Sequence, residues 1–320
     1  MINKKKIIVL GGCGYIGTKL TELLLNLGYK VKIIDTQWYG NYTVKNKNLI
    51  ILKKDIRKVT KKDLQNYNIV VHLANIANDP SAELNPNLSW EINVLASYQL
   101  INEAIKAKIE QFIYASSGSV YGVKKEKNVT EDLSLLPIST YNKTKMIAER
   151  VFISFKDKIK VHCIRPATVC GYSPKMRLDL SVNLLTYQAL TKKKITILGG
   201  KQMRPNINIL DVIRVFEFFI KNKKIESGCY NAGFENKSIL EIAKIIQKKI
   251  PSKIIFKKSN DPRSYRIDSS KLLNLGFKPM HNIHGAIDAI IDNFNNGRLA
   301  RKKNFFNVEF IKSKKINNII

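Results

Sequence analysis

The sequence has few cysteines, few histidines and no long apolar run, and each shortage excludes a class of protein. The four cysteines among 320 residues are widely spaced and form no CxxC pair, so neither a zinc knuckle nor a redox pair is indicated. The four histidines have no cluster of other ligand types beside them, so we expect reduced thiols and no metal site. No apolar run reaches the roughly 20 residues that a membrane-spanning helix needs, so no membrane partner is expected.

The amino-terminal residues begin like a signal peptide but do not continue as one. Lys4, Lys5 and Lys6 are followed by an apolar stretch that breaks at Gly11 and Gly12, and no small-residue cleavage site follows. Hydrophobic residues make up 44% and charged residues 25% of the chain, which is close to the average of globular domains and argues against intrinsic disorder. We therefore expect a soluble, cytoplasmic protein.

Acidic residues are scarce relative to basic ones, and the formal net charge is +30. Such a charge is found in proteins that bind nucleic acid or anionic membranes. Here the lysines are spread over the whole length, and no nucleic-acid-binding motif accompanies them. We therefore expect no nucleic-acid partner, and we interpret the positive field as one that attracts an anionic substrate. Nucleic-acid binding stays open as an alternative that predicts steeply salt-dependent affinity.

Short apolar runs alternate with segments of helical periodicity throughout the first half of the chain. This alternation predicts a parallel sheet with helices on both faces, which is the doubly wound class of α/β fold. The expected strands cover residues 6–10, 31–34, 49–52, 69–73, 112–115 and 161–164, and the expected helices cover residues 15–27, 90–105 and 141–155.

The pattern changes after residue 170, where helices at 182–190, 212–220 and 239–250 alternate with short strands at 195–198, 207–209 and 254–256. We interpret residues 1–170 as a cofactor-binding domain and 171–297 as a smaller, partly interleaved substrate lobe. Residues 298–320 form a basic tail whose phenylalanines favour docking over fraying.

A glycine-rich loop lies between the first predicted strand and the first predicted helix. Gly11, Gly14 and Gly17 have the spacing that allows a tight turn, a close approach to a pyrophosphate and close packing of helix on sheet. The helix N-terminus then offers free N–H groups to the phosphates. Asp35 ends the second strand, where a carboxylate can bind the adenosine ribose hydroxyls and repels a 2′-phosphate. This arrangement predicts NAD rather than NADP; the structural alternative is a tight turn without a ligand.

A tyrosine and a lysine four residues apart begin the helix predicted at 141–155. Tyr141 and Lys145 share a helix face, so the ammonium is expected to lower the pKa of the phenol. A tyrosine with such a pKa can remove a proton from a substrate hydroxyl as hydride leaves the same carbon. Ser117, in a serine-rich segment after a strand, can hydrogen-bond the same oxygen.

Together these motifs resemble an extended short-chain dehydrogenase/reductase of the NAD-dependent epimerase/dehydratase family. The resemblance covers nearly the whole chain and implies a Rossmann-type fold with a smaller substrate lobe. The matching pieces are GGCGYIG at 11–17, Asp35, DIR at 55–57, HLAN at 72–75, Asn93, YASSGSVYG at 114–122, YNKTK at 141–145, Arg165–Pro166, GYSPKMR at 171–177, QMR at 202–204, Asp211, YNAG at 230–233 and DPR at 261–263.

The resemblance implies a role for each matching residue. The catalytic residues would be Ser117, Tyr141 and Lys145. The cofactor-binding residues would be Gly11, Gly14, Tyr15, Ile16, Gly17, Asp35, Asp55, Ile56, Leu73, Ala74, Asn93 and Lys145. The substrate-binding residues would be Ser117, Ser119, Tyr141, Thr168, Asn183, Arg204 and Arg263, with the two arginines on the nucleotide diphosphate and Thr168 replacing the usual asparagine.

Departures from the family pattern narrow the expected chemistry. The family's dehydratases place an Asp-Glu pair where this chain has Gly118 and Ser119, which argues against dehydration. The block at 165–183 resembles a subgroup that includes GDP-heptose 4-dehydrogenases and epimerases of surface-glycan pathways. We therefore expect an NAD-dependent nucleotide-sugar 4-epimerase that works through a 4-keto intermediate and supplies surface-glycan sugars.

Two other functions stay open. The same residues would serve a 4-dehydrogenase or 4-ketoreductase, and a non-catalytic NAD-binding regulator is a more remote alternative. The family also implies a homodimer formed through the long helices at 90–105 and 141–155.

Overall fold

The computed structural model describes residues 5–259 and 261–314. The strands within these residues are short, as is usual for a parallel sheet. They are β1 (Lys6–Leu10), β2 (Lys30–Asp35), β3 (Leu49–Lys53), β4 (Ile69–His72), β5 (Gln111–Ala115), β6 (Lys160–Pro166), β7 (Thr168–Cys170), β8 (Lys194–Leu198), β9 (Met203–Asn208), β10 (Gly228–Ala232), β11 (Glu235–Ser238) and β12 (Lys253–Lys257).

The helices alternate with these strands. They are α1 (Tyr15–Asn26), α2 (Lys61–Leu64), α3 (Asp79–Ala82), α4 (Pro86–Trp90), α5 (Ala96–Lys106), α6 (Thr140–Ile153), α7 (Ser181–Lys192), α8 (Ile209–Lys221), α9 (Ile239–Lys249), α10 (Ser270–Asn274), α11 (Ile283–Asn295) and α12 (Asn307–Ser313). Across the described ranges, none of them combines the length and hydropathy that crossing a bilayer requires.

Seven strands form the main sheet in the order β3-β2-β1-β4-β5-β6-β10, and every neighbouring pair is parallel. Ile7 and Val9 of β1 pack into one hydrophobic core, whereas Ile8 and Leu10 pack into the other. A strand buried on both faces needs apolar residues at successive positions, which explains its sequence. The predicted doubly wound sheet is confirmed, and its order reverses between β1 and β4, where such sheets bind ligands.

The second half of the chain contributes both to the main sheet and to a smaller lobe. β10 lies beyond residue 170 yet pairs with β6, so the two parts of the chain interleave. The lobe contains a three-stranded sheet in the order β11-β9-β7 and a parallel pair of β8 and β12. A separate apolar core joins α7, α9 and α11. The residue bounds predicted for the domains stay a prediction.

Element ends differ from the sequence-based expectation in two instructive places. The helix expected from residue 90 already begins with α4 at Pro86 and passes through a π-helical turn at Glu91–Leu95. The strand expected to end at Ile209 ends at Asn208, because the Asn208 side chain accepts a hydrogen bond from Leu210 N (2.9 Å) and caps α8. β7, β10 and β11 were not predicted as strands.

The described part of the basic tail, residues 298–314, packs against the rest of the protein. Phe305 and Ile311 are buried, and Leu178 N donates to Phe305 O (2.9 Å). These contacts attach the tail to the segment that precedes α7. Residues 315–320 of the expected tail lie outside the described residues.

A buried ion pair attaches α6 to the main sheet. Arg165 of β6 donates from Nη2 to Oε2 of Glu149 on α6 (2.8 Å), and both side chains are almost fully buried. Arg165 Nη1 also donates to the hydroxyl of Tyr121 (2.7 Å), which in turn donates to Asn231 Oδ1 on β10 (2.7 Å). The network therefore fixes the relative positions of α6, the turn after β5 and the second-half strand β10.

Replacing Arg165 with methionine should lower the free energy of unfolding by about 3–5 kcal/mol, because it leaves the Glu149 carboxylate buried without its partner. The matched control is Arg301→Met, which removes an exposed ion pair with Glu309 and should cost less than about 1 kcal/mol. Urea unfolding of both variants measures the two values. Equal, small losses would contradict the role given to the buried pair.

Candidate active site

A cleft of about 370 Å³ opens at the carboxyl ends of β1, β4 and β5, with residues of the smaller lobe on its other side. Most of the residues that the sequence analysis predicted to be functional line this cleft. From the predicted set it contains Gly11, Gly14, Tyr15, Ile16, Gly17, Leu73, Ser117, Ser119, Tyr141, Lys145, Thr168, Arg204 and Arg263.

The glycine loop forms one end of the cleft. Gly11 has a φ of +79°, and a Cβ on it would lie 2.6 Å from Ala74 N, so only glycine fits there. A Cβ on Gly17 would lie 2.4 Å from Gly11 O, which explains the close packing of α1 on the loop. Gly14, the residue before α1, has no side chain that could cap the N–H groups in the first turn of this helix. This end therefore fits a dinucleotide diphosphate.

Asp35 stands at the end of β2 and is tied to the glycine loop. Its Oδ2 accepts from Cys13 N (3.0 Å) and its Oδ1 from Gln37 N (2.6 Å). Burial raises the pKa of this carboxyl, while the two backbone N–H groups and the charge of Lys175 act in the opposite direction. The carboxylate is thus held beside the loop, where it fits the adenosine ribose of NAD.

Asp55 and Ile56, expected near adenine, follow β3 and do not line the cleft. Asp55 caps a short 3-10 turn and forms an ion pair with Arg57 (2.8 Å). Their cofactor contact stays a prediction.

The three expected catalytic side chains meet in the middle of the cleft. Tyr141 lies in the first turn of α6, and the Ser117 hydroxyl acts to lower its pKa. Ser117 Oγ is also 2.8 Å from Ser119 Oγ in the turn after β5. Lys145 Nζ donates to Ala115 O (2.7 Å) and lies 5.8 Å from the centroid of the Tyr141 ring. The arrangement places a hydroxyl pair and an ammonium around one substrate-sized space.

The charges around Tyr141 differ from the expectation drawn from the sequence. Burial raises the pKa of Tyr141 to about 12, and the Asp79 carboxylate contributes to the rise. The Ser117 hydroxyl and the positive charge of Arg177 act to lower it. Burial also lowers the pKa of Lys145 to about 7. The pKa of Tyr141 is therefore raised in this structure and not lowered as the sequence predicted, and a lowering effect of Lys145 stays a prediction.

Two asparagines in the predicted site are fully buried and are not among the residues that line the cleft. Asn93 Oδ1 accepts from Ile76 N (2.9 Å), and its Nδ2 donates to Thr144 Oγ1 on α6 (3.1 Å). Asn183 Oδ1 accepts from Gly171 N (2.9 Å), and its Nδ2 donates to the Tyr15 hydroxyl (3.1 Å). Both hold loops around the cleft instead of lining it.

Two arginines from the smaller lobe line the opposite end and share one carboxylate. Arg204 Nη2 is 2.9 Å from Asp261 Oδ2, and Arg263 Nη2 is 2.8 Å from the same oxygen. Arg263 Nη1 also reaches across the cleft to Asp79 Oδ2 (2.8 Å). Asp79 in turn accepts from the hydroxyl of Ser139 (2.6 Å), the residue that caps α6. The guanidinium groups of Arg204 and Arg263 therefore lie close together, although the two residues are 59 positions apart in the chain.

Sequence reasoning missed several residues that line this cleft. Lys175 and Arg177 lie in the GYSPKMR segment at 171–177. This segment matches the family pattern, so the sequence did contain a signal for these two residues, but it assigned them no role. Asp79, Tyr265 and Asn307 carried no signal, because each reaches the cleft through contacts with distant residues. Within the described residues, no group of three His, Cys, Asp or Glu side chains is arranged to hold a metal.

The chain matches the model of the family described as "NAD dependent epimerase/dehydratase family" over residues 7–233. A UDP-glucose 4-epimerase of Lactobacillus helveticus is 28% identical over 306 residues, which cover 86% of this chain and 92% of that protein. The UDP-glucuronic acid 4-epimerase of Bacillus cereus, solved in complex with UDP-glucuronic acid and NAD, is 29% identical. Its TM-score is 0.81, over 91% of this chain and 99% of that chain.

Similarity also extends to a protein named for a different reaction. The UDP-glucuronic acid decarboxylase 1 of Danio rerio is 23% identical, over 91% of this chain and 73% of that protein. The narrower resemblance to GDP-heptose 4-dehydrogenases stays a prediction, since the relatives described here carry UDP-sugar names.

Replacing Arg177 with methionine should raise the pKa of Tyr141, because the variant removes a positive charge that favours the phenolate. The basic form is then populated only at higher pH, so the limb of kcat/KM that rises with pH should shift to higher pH. The charge-retaining variant Arg177→Lys should leave this limb in place, as should Arg298→Met at an exposed position. A pH profile that is unchanged in Arg177→Met would contradict the electrostatic role.

Proposed function

This chain belongs to the NAD-dependent epimerase/dehydratase family, and on that basis we propose that it is a nucleotide-sugar 4-epimerase. The chain is an enzyme and its cofactor is NAD, as its glycine loop and Asp35 predicted. The proposal adds the type of substrate and the carbon at which it reacts. Curated and solved relatives named as UDP-sugar 4-epimerases support it.

The observation that carries the proposal is that three sets of groups line one cleft. They are the glycine loop, the group of Ser117, Tyr141 and Lys145, and the two arginines Arg204 and Arg263 of the smaller lobe. A cofactor, a reacting hydroxyl and the phosphates of a nucleotide sugar need one such set each. Arginine suits the phosphates because its planar fork binds phosphate oxygens in pairs.

The chain's own residues supply the proton chemistry. NAD, when bound by the glycine loop and Asp35, supplies a reversible hydride acceptor for the C4–H bond. Tyr141 accepts the proton of the C4 hydroxyl and returns it, while Ser117 holds the same oxygen by a hydrogen bond. Arg177 helps to populate the phenolate, because its charge opposes the effect of burial and of Asp79. Lys145 presents a desolvated amine from the adjacent turn of α6.

The carboxylates of the cleft argue against elimination of water. Asp79 is the single acidic residue among those that line the described cleft, and it is bound by Arg263 and Ser139. Gly118 and Ser119 stand where a dehydratase would present its acid pair. A 4-dehydrogenase or 4-ketoreductase would use the same residues as an epimerase, so it is kept as the second outcome of the test below. Supply of sugars for surface glycans stays a prediction from the 165–183 block.

The homodimer expected from the sequence also stays a prediction. Leu95 and Tyr98 are more than half exposed on the long helical segment, and the Tyr98 ring lies 6.1 Å from that of Phe155 after α6. A second copy of the chain would cover this apolar face, which sedimentation velocity of the full chain would test.

Incubation of the protein with NAD and a panel of UDP-, GDP-, CDP- and dTDP-sugars tests the reaction, with NMR for the sugar and absorbance for NADH. We expect a C4-inverted sugar without net NADH, and Tyr141→Phe should lose most of this turnover because no proton acceptor remains. If NADH and a keto sugar accumulated together, the result would show that the protein is a dehydrogenase and not an epimerase. Unchanged turnover in Tyr141→Phe would overturn the assignment.

Arg263→Met should raise the KM for the nucleotide sugar about 10-fold or more, since a charge-assisted contact to phosphate is lost, and should change kcat less. Arg266→Met, on the same segment but exposed, is the matched control and should leave KM unchanged. A loss of kcat alone would indicate that Arg263 acts through Asp79 and the cap of α6 instead of on the substrate.

A further inference from the structure

The C-terminal segment, defined here as residues 298–314, packs over the cofactor end of the cleft. The ring of Phe305 lies 5.8 Å from that of Tyr42, and the ring of Phe310 lies 5.0 Å from that of Tyr39. Both tyrosines follow β2, the strand that ends at Asp35. Asn307 at the start of α12 is buried and lines the cleft itself. The segment lies outside the residues matched by the family model, which end at 233.

Lys175 contacts this segment and lines the same cleft as the glycine loop. Its side chain is only 2% exposed, yet it lines the same cleft as Gly11, Gly14 and Gly17. Its ammonium is 3.2 Å from Asn307 Oδ1 and 4.4 Å from the centroid of the Tyr39 ring. A lysine ammonium has three donors, and the amide oxygen of Asn307 satisfies one of them.

The anions near Lys175 are already engaged with other donors. Asp35 accepts from two backbone N–H groups, and Asp179 forms a bidentate ion pair with Arg177 (2.6 and 3.1 Å). Burial and the neighbouring charge of Arg177 together lower the pKa of Lys175 to about 7, against the opposite effect of both aspartates. A buried ammonium in this position gains most from an anion that enters the cleft.

We propose that the C-terminal segment completes the cofactor site, with Asn307 positioning the Lys175 ammonium so that it binds the phosphate oxygens of the dinucleotide. The glycine loop holds the diphosphate with N–H groups, and Lys175 adds an ammonium whose protonated form the bound phosphate stabilises. The aromatic contacts of Phe305 and Phe310 keep the segment in place over this charge. Asn307 is thus a positioning residue and Lys175 a binding residue.

A dinucleotide offers two sources of phosphate oxygen, the diphosphate and, in NADP, the 2′-phosphate. The Asp35 carboxylate beside the loop disfavours a 2′-phosphate, so the proposal assigns Lys175 to the diphosphate. The inference rests on NAD as the cofactor and not on which sugar reacts. Its failure therefore leaves the epimerase proposal, which is tested through Tyr141, unaffected.

Calorimetric titration of the NAD-free full chain tests the proposal with NAD, NADP, ADP-ribose and adenosine as probes. Lys175→Met keeps an unbranched chain of similar volume, and it should weaken NAD, NADP and ADP-ribose by one common factor of about 10 or more. Adenosine, which has no phosphate, should bind as it does to the unchanged protein. Lys312→Ala, exposed on α12, is the matched control and should change none of the four affinities.

The positioning role of Asn307 has its own readout. Asn307→Ala should weaken ADP-ribose less than Lys175→Met does, and the double variant should be no weaker than Lys175→Met alone, because Asn307 acts through the lysine. Additive losses would overturn this role. Equal losses for adenosine and ADP-ribose, a loss confined to NADP, or unchanged NAD affinity in Lys175→Met would each overturn the assignment of Lys175 to the diphosphate.

Discussion

The buried ion pair between Glu149 and Arg165 is the interaction on which the rest of the site depends. Desolvation makes such a pair a weak source of net stability compared with apolar packing, but it requires one geometry to be satisfied. Here that geometry joins α6, which carries Tyr141 and Lys145, to β6. Through Tyr121 and Asn231 it also joins the turn that carries Ser117 to β10 from the second half of the chain. The relative positions of the catalytic groups follow from this network.

Two different kinds of group line the cleft: backbone N–H groups of the glycine loop and guanidinium side chains of the smaller lobe. The sheet end is built from backbone: Gly11 and Gly17 leave no room for a Cβ, so the N–H groups of the loop and of α1 can approach a diphosphate. The lobe end is built from side chains, with the guanidinium groups of Arg204 and Arg263 held by Asp261. A backbone site is rigid before the ligand arrives, whereas under the proposed function the arginines would exchange the Asp261 carboxylate for a phosphate of the substrate.

Asp79 connects Arg263 of the smaller lobe to α6, the helix that carries Tyr141. It holds Arg263 across the cleft, accepts from the capping Ser139 of α6, and raises the pKa of Tyr141. Arg177 opposes that last effect from the segment before α7. Burial is the main influence on the pKa of Tyr141, and two charged residues that are distant from it in sequence, Asp79 and Arg177, act on this pKa in opposite directions.

The sequence by itself determined the class of fold, the glycine loop, Asp35, the Tyr141–Lys145 pair and the NAD cofactor. Each of these is encoded by residues that are close together in the chain, such as the apolar run of β1 followed by Gly11, Gly14 and Gly17. Tertiary structure alone decided that Asn183 is a buried support, that Arg177 acts to lower the pKa of Tyr141, and that Asn307 meets Lys175. The physical reason is that hydrogen bonds and charge interactions depend on distance in space. Residues 79 and 263, or 175 and 307, have no relation in sequence until the two halves of the chain pack around one sheet.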